Sequence, residues 1–268
     1  MNQPIGQTRL ISILNNYNVS NLPRALLFIG DHGCGKKTFA KYLADRLSLD
    51  FVEIGESVNA EDIQDFMHST LSTIYLINLD NFVEKQQNQF LKFIEEPSKT
   101  VYVILTASAE ASVLPTILNR CIRHHFDPYA LEELKEITGS TNINLTAVEI
   151  FKTPGKLMNL TEASFAAILD LAEKVVRSMH IAKYANALSI STKINYKDLY
   201  NKVDFYLFFD AVEWLAFEDF KHNRNQQCLT VFKVTNQFKQ LAKKQNLNKE
   251  TLMLNYLTTL WEAIHDIS

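Results

Sequence analysis

Cysteine is sparse in this chain, with three residues in 268, at positions 34, 121 and 228. They are isolated and lack the paired spacing of metal ligands, so no metal site is expected. An odd count also suits a reducing compartment. Apolar runs are short: none approaches the roughly 20 residues that cross a bilayer. The opening MNQPIGQTRL has no apolar signal core, so a cytoplasmic protein without membrane partners is the expectation. Neither sign of charge dominates, since 27 Lys and Arg face 30 Asp and Glu. That balance excludes a global basic footprint for nucleic acid and leaves DNA contact to a local patch or to partner subunits. The basic stretches KKT, RCIRHH and KQLAKKQ are scattered, and each reads more simply as a helix end or a solvated face. A DNA-binding adaptor is the alternative they leave open. Glycine is also scarce, with seven in all, yet Gly30, Gly33 and Gly35 fall within one short stretch. The backbone there must need unusual torsions or close approach.

What is present is a strong alternation in the first half. ALLFI (25–29), FVEI (51–54), IYLIN (74–78), VYVILT (101–106) and CIRHHF (121–126) read as strands. KKTFAKYLADRL, AEDIQDFMHSTL, EKQQNQFLKFIEE and SVLPTILNR read as the helices between them, the third stopped by Pro97. The pattern predicts an α/β fold: a mostly parallel sheet covered on both faces, with ligands at the carboxyl ends of its strands. After Asp127-Pro128 the spacing turns helical throughout, including IAKYANAL (181–188), so the second half is expected to be all-α. Three regions follow: an α/β module over 1–127, a small helical subdomain over 128–160 and a longer helical domain over 161–268. The aromatic run FYLFFDAVEWLAF (205–217) reads as packed core, with a subunit interface as the alternative for part of it.

GDHGCGKK (30–37) matches a phosphate-binding loop: a strand, a glycine-rich turn, then a helix whose first-turn amides face an anion. Gly30, Gly33, Gly35 and Lys36 have the required types and spacing. The next position, where such loops place the Ser or Thr that ligates magnesium, is Lys37. A protonated ammonium has only donors and repels the cation. Thr38 comes one residue late, about 100° around the helix. Beyond the third strand, where a carboxylate pair is needed for metal and water, stand Asn78, Leu79 and Asp80. An amide replaces the first carboxylate, Leu79 can activate nothing and Asp80 is displaced. Losing both sets should cost orders of magnitude in hydrolysis rate. The loop is expected either to be a folded turn without ligand, or to hold ATP or ADP without turnover. No cofactor is required.

IGQ (5–7), LPRALLFIGDHGCGKKT (22–38), QNQFLKFIEEPS (87–98), VILTAS (103–108) and LPTILNRC (114–121), in this order, resemble the clamp-loader branch of the AAA+ ATPases. Within it they are most similar to the delta-prime type of bacterial DNA polymerase III subunit. The resemblance implies a P-loop AAA+ module, a helical lid and a C-terminal helical collar that joins five subunits into a ring. It implies partners as well: motor ATPase subunits and delta, with the sliding clamp and primer-template DNA reached through the complex. LNRC resembles a Ser-Arg-Cys motif whose arginine enters the neighbouring subunit's nucleotide site, which would make Arg120 a trans arginine finger; Asn119 replaces the serine. The alternative for Arg120 is an arginine that merely pairs with a carboxylate at a helix end. Thr106 and Lys156 occupy the family's two sensor positions, as relics, and Lys for Arg at 156 loses the planar fork. Many bacterial relatives carry a four-cysteine zinc module after the loop, whereas this chain has no cysteine between Cys34 and Cys121. The implied function is a non-hydrolysing subunit for clamp loading in DNA replication, with an active AAA+ motor or helicase loader as the alternative.

Overall fold

The computed structural model describes residues 3–55, 57–139, 143–158, 160–179, 205–223, 227–242 and 248–265. Five parallel strands form one sheet in the order β2-β3-β4-β1-β5: β1 Ala25–Ile29, β2 Asp50–Ile54, β3 Thr73–Asn78, β4 Val101–Ala107 and β5 Ile122–His125. The three central strands are buried almost throughout, as strands covered on both faces must be. Their alternate residues supply two cores. Leu27, Ile77, Val103 and Leu105 face one, with Phe90, Phe93 and Ile117. Leu26, Phe28, Ile74 and Ile104 face the other, with Leu10, Leu14, Phe39 and Leu43. The edge strands β2 and β5 are mostly exposed. The strand order reverses at β1, so the turn leaving its carboxyl end lies where such sheets bind ligands.

The helices α2 (Lys36–Leu47) and α3 (Ala60–Met67) follow the predicted pattern, and a further helix that the pattern did not include, α1 (Thr8–Asn16), precedes β1. Asn59 caps α3 by accepting from the Glu61 and Asp62 amides. The single helix predicted over 84–96 is instead two short ones, α4 (Glu84–Gln87) and α5 (Leu91–Glu95), separated by a 3₁₀ turn at Asn88–Phe90. Gln87 accounts for the break. Its buried side chain donates to the carbonyls of Phe82 and Ser112 and accepts from the Leu114 amide. The tighter turn also lets Phe90 and Phe93, three apart, both be fully buried. The helix α6 (Pro115–Leu118) is a single turn with proline at its start.

Two compact units divide the chain: Met1–Ile143 with Lys152–Met158, and Asn144–Phe151 with Asn159–Ser268. The segment 128–160 is thus shared between them. Its helices α7 (Leu131–Thr138) and α9 (Pro154–Leu157) go with the sheet, and α8 (Leu145–Phe151) goes with the second unit. The described residues of that second unit are all helical or connecting, with α10 (Glu162–Met179), α11 (Phe205–Asn223), α12 (Gln227–Ala242) and α13 (Lys249–Ile264). The helix expected over 181–188 lies outside the described residues. Of the aromatic run, Phe208 and Phe209 are buried against Tyr256, while Phe217 is exposed.

Inside this unit Lys239 of α12 reaches two carboxylates of α11, pairing with Asp210 and, at 2.8 Å, with Glu213. Burial lowers the lysine's pKa, but the two carboxylates outweigh it and hold it above the ordinary value. A raised lysine pKa stabilises the fold fully below the ordinary value near 10.4 and stops doing so as pH rises through the folded value. Stability between pH 6 and 9 is therefore insensitive to this group. Lys239→Met should cost about 3 kcal/mol, because two largely buried carboxylates lose the ammonium that meets them both. Urea denaturation followed by circular dichroism measures it.

Candidate functional site

The turn after β1 folds as its sequence predicts. Gly33 and Gly35 have φ of +80° and +96°, a region that disfavours side chains. Gly35 begins α2 with no side-chain cap, which leaves the first-turn amides open toward an anion. The Lys36 ammonium curls back over the turn and donates to the Gly30 carbonyl at 2.5 Å and the Asp31 carbonyl at 3.0 Å. Cys34 is buried beneath it. Burial pushes its thiol pKa up against the pull of Lys36, so the thiol stays protonated.

A second segment of the same unit lies directly on this turn. The Gly155 amide donates to the Gly33 carbonyl at 2.8 Å, and the Thr153 hydroxyl donates to the His32 carbonyl at 2.9 Å. The Lys156 ammonium, with its side chain only 6% exposed, meets the Asp31 carboxylate at 2.8 Å. The approach is so close that a Cβ on Gly155 would stand 2.7 Å from the Gly33 Cα. From another side Tyr129 donates its hydroxyl to the Cys34 carbonyl at 2.8 Å, and its ring packs on Gly6. Gln7 and Asp127 close the same corner through two reciprocal bonds, from the Gln7 side-chain amide to the Asp127 carbonyl and from the Asp127 amide to the Gln7 side-chain carbonyl. The sequence marks Lys156 only as a sensor relic. It assigns no role to Asp31 or Tyr129. The glycine at 155 was the available signal, because a glycine just inside a helix start points to a close backbone neighbour.

The positions that would serve magnesium are engaged elsewhere. Lys37 pairs with Glu53 on β2, leading away from the turn. Thr38 is exposed on α2. Leu79 is fully buried. The Asp80 carboxylate accepts from the Ser108 amide at 3.1 Å and the Ser108 hydroxyl at 2.9 Å, tying the end of β3 to the segment after β4. Asn78 and Thr106 are direct neighbours in the β3–β4 register. The buried Thr106 hydroxyl donates to the Asn78 side-chain carbonyl at 3.3 Å. A divalent cation prefers several anionic or neutral oxygens. This set offers an ammonium, an amide and a carboxylate already holding three donors, so the residues do not fit the ion. Among the described residues no cluster of three or more His, Cys, Asp or Glu side chains could hold a metal.

Arg120 stands apart from the turn. It pairs through Nε with Glu95, the last residue of α5, and donates from Nη1 to the Thr116 carbonyl at 2.8 Å. The Arg120 and Glu95 side chains are each 40% exposed. In the nearby basic stretch, Arg123 and His125 share one carboxylate, Glu110. No helix among the described residues is long and apolar enough to cross a membrane.

Residues 53–130 match the family model described as DNA polymerase III, delta subunit. The chain is similar to the Replication factor C small subunit of Methanococcus vannielii, 26% identical over 204 residues that cover 66% of this chain and 65% of that protein. It thus spans just under two thirds of that relative's length. It is also 27% identical over 250 residues to the DNA polymerase III subunit gamma of Buchnera aphidicola, covering 75% of this chain and 68% of the relative. Among solved structures, a gamma subunit-related protein of Thermotoga maritima superposes with a TM-score of 0.50 at 17% identity, over 95% of this chain and 99% of that one. A single-residue variant of RuvB from the same organism gives 0.51 at 17% identity, over 83% and 96%. These two likenesses speak for the fold alone.

Gly155→Ala tests the seat of the second segment on the turn. The added methyl meets backbone, which cannot swing aside, so a loss of about 2 kcal/mol is expected. Calorimetry should show a lower melting temperature, and amides 30–35 should exchange faster with deuterium.

Proposed function

We propose that the chain, which is similar to clamp-loader subunits in sequence and carries an AAA+-like fold, serves as a non-hydrolysing, delta-prime-like subunit of a DNA polymerase III clamp loader. In this reading the α/β module and the helical unit supply ring architecture, and Arg120 completes the ATP site of an adjoining subunit. The partners are motor subunits and delta in a five-membered ring, in the cytoplasm, with the sliding clamp and primer-template DNA reached through the assembly.

The observation that carries the reading is the engagement of the catalytic positions. Hydrolysis needs a cation gripped by oxygens and a water aimed by a carboxylate. Here Lys37 is held by Glu53, Leu79 is buried, and Asp80 is bound to Ser108. The subunit therefore needs no cofactor of its own. A guanidinium held at the surface suits the complementary task. It is always charged, and its fixed fork can meet charge developing on a phosphoryl group. Arg120, 40% exposed and bonded to the fold at two points, has that character.

A second reading, an active AAA+ ATPase, is favoured by the relatives, which are named gamma and Replication factor C small subunit. It requires Asp80 to release Ser108 and Thr38 to turn toward the loop. Steady-state ATPase assays separate the two. The isolated chain with magnesium and ATP should release no phosphate above background, and Lys36→Ala should change nothing. Turnover of about 1 per second or more, abolished by Lys36→Ala, would establish the second reading. In the reconstituted complex Arg120→Ala should slow the adjoining site by roughly 10³-fold.

A further inference from the structure

We propose that Glu95 is a positioning residue that holds the Arg120 guanidinium in the orientation it presents to a neighbouring subunit. This rests on the trans-arginine reading above and assigns it a supporting residue. Both partners are fixed from beneath by one core. Glu95 ends α5 directly after Phe93 and Ile94, both buried in the cluster that also buries Ile117 of α6. Two residues past that helix, the Arg120 amide donates to the Ile117 carbonyl at 3.0 Å. The carboxylate and the arginine backbone are therefore set on rigid elements rather than on a free loop, which is what a precise site requires.

Within the side chain, Glu95 accepts from Nε and the Thr116 carbonyl from Nη1. Nη2 makes no hydrogen bond among the described residues. Two of the five donors thus orient the group, and the Nη2 end stays available for an anion brought by another chain. An exposed pair of this kind adds little to stability. Its effect lies in fixing the rotamers of a long side chain before the encounter, so that less freedom is lost when the anion is met.

The test uses a clamp loader reconstituted from this chain and its partner subunits, with the ATP site that abuts Arg120 left as the one able to turn over. Glu95→Ala should lower kcat at that site roughly tenfold and leave KM for ATP within about twofold. Glu95→Gln, whose amide oxygen still accepts from Nε, should recover most of the rate. The double variant Glu95→Ala/Arg120→Ala should be no slower than Arg120→Ala, since Glu95 acts through the arginine. In the isolated chain the Arg120 Nε–H resonance should be distinct and should collapse toward the averaged arginine position in Glu95→Ala. The proposal is overturned if Glu95→Ala leaves kcat unchanged while Arg120→Ala lowers it, or if the two losses add. If Arg120→Ala itself has no effect on turnover, the trans-arginine reading fails and this inference goes with it.

Discussion

At Gly33 and Gly155 two stretches of backbone approach as closely as chains can. One amide–carbonyl bond of 2.8 Å joins them, and neither position has room for a side chain. Much of the site's geometry follows from that contact. It places Thr153 over the His32 carbonyl and brings the Lys156 ammonium to Asp31. Lys156 can be almost wholly buried because its charge is met at 2.8 Å, for burial of an unmatched ammonium would be prohibitive. With Lys36 turned onto the carbonyls of Gly30 and Asp31, and Tyr129 on that of Cys34, the turn's carbonyl groups are satisfied by the protein itself. An incoming phosphate would compete with Asp31 for Lys156 and with two carbonyls for Lys36.

The same competition decides the chemistry around the turn. Three of the groups beside the turn are held by other partners. Lys37 lies on Glu53, Asn78 accepts from Thr106 and from the Asp80 amide, and Asp80 accepts from both donors of Ser108. A carboxylate holding an amide and a hydroxyl loses those bonds if it moves to a cation. The cation must then repay both as well as the repulsion from a nearby lysine. The sensor position at 106 is accordingly a structural link between β3 and β4, since its partner is the residue paired with it in register.

The sheet was legible because its strands are short apolar runs punctuated by polar turns, and five of five fall within a residue or so of their predicted bounds. The turn was legible because three of seven glycines cluster there. What escaped depends on partners distant in sequence. Nothing in TPGK says that it will lie on residues 31–33, more than a hundred positions earlier. Helical spacing over 84–96 could not reveal that Gln87 would be drawn inward to bond Ser112 and Leu114, breaking the helix. The Arg120 pairing was foreseeable only as a type, an arginine near a helix-end carboxylate; its identity as Glu95 came from the packing of α5 beside α6. The division of 128–160 between two compact units is likewise a property of packing that composition does not carry.

A phosphate loop can persist without the reaction it serves elsewhere, because its shape and its chemistry rest on different residues. Its shape depends on Gly33 and Gly35 taking left-handed torsions and on Cys34 and Phe39 being buried. The neighbouring backbone of Gly155 also closes over it. All of these are packing constraints that hold whether or not a nucleotide arrives, and each would cost stability to lose. Its chemistry depends on a hydroxyl and two carboxylates, whose places are taken here by Lys37, Asn78 and Leu79. Replacing the hydroxyl by Lys37 gains a surface ion pair, and replacing a carboxylate by Leu79 gains apolar burial. Each of these exchanges gains a contact for the fold, whereas a substitution at the glycines loses one. On the proposed non-hydrolysing reading, a sequence that keeps the glycines and alters the other three positions is what loss of turnover with retention of the fold would leave behind.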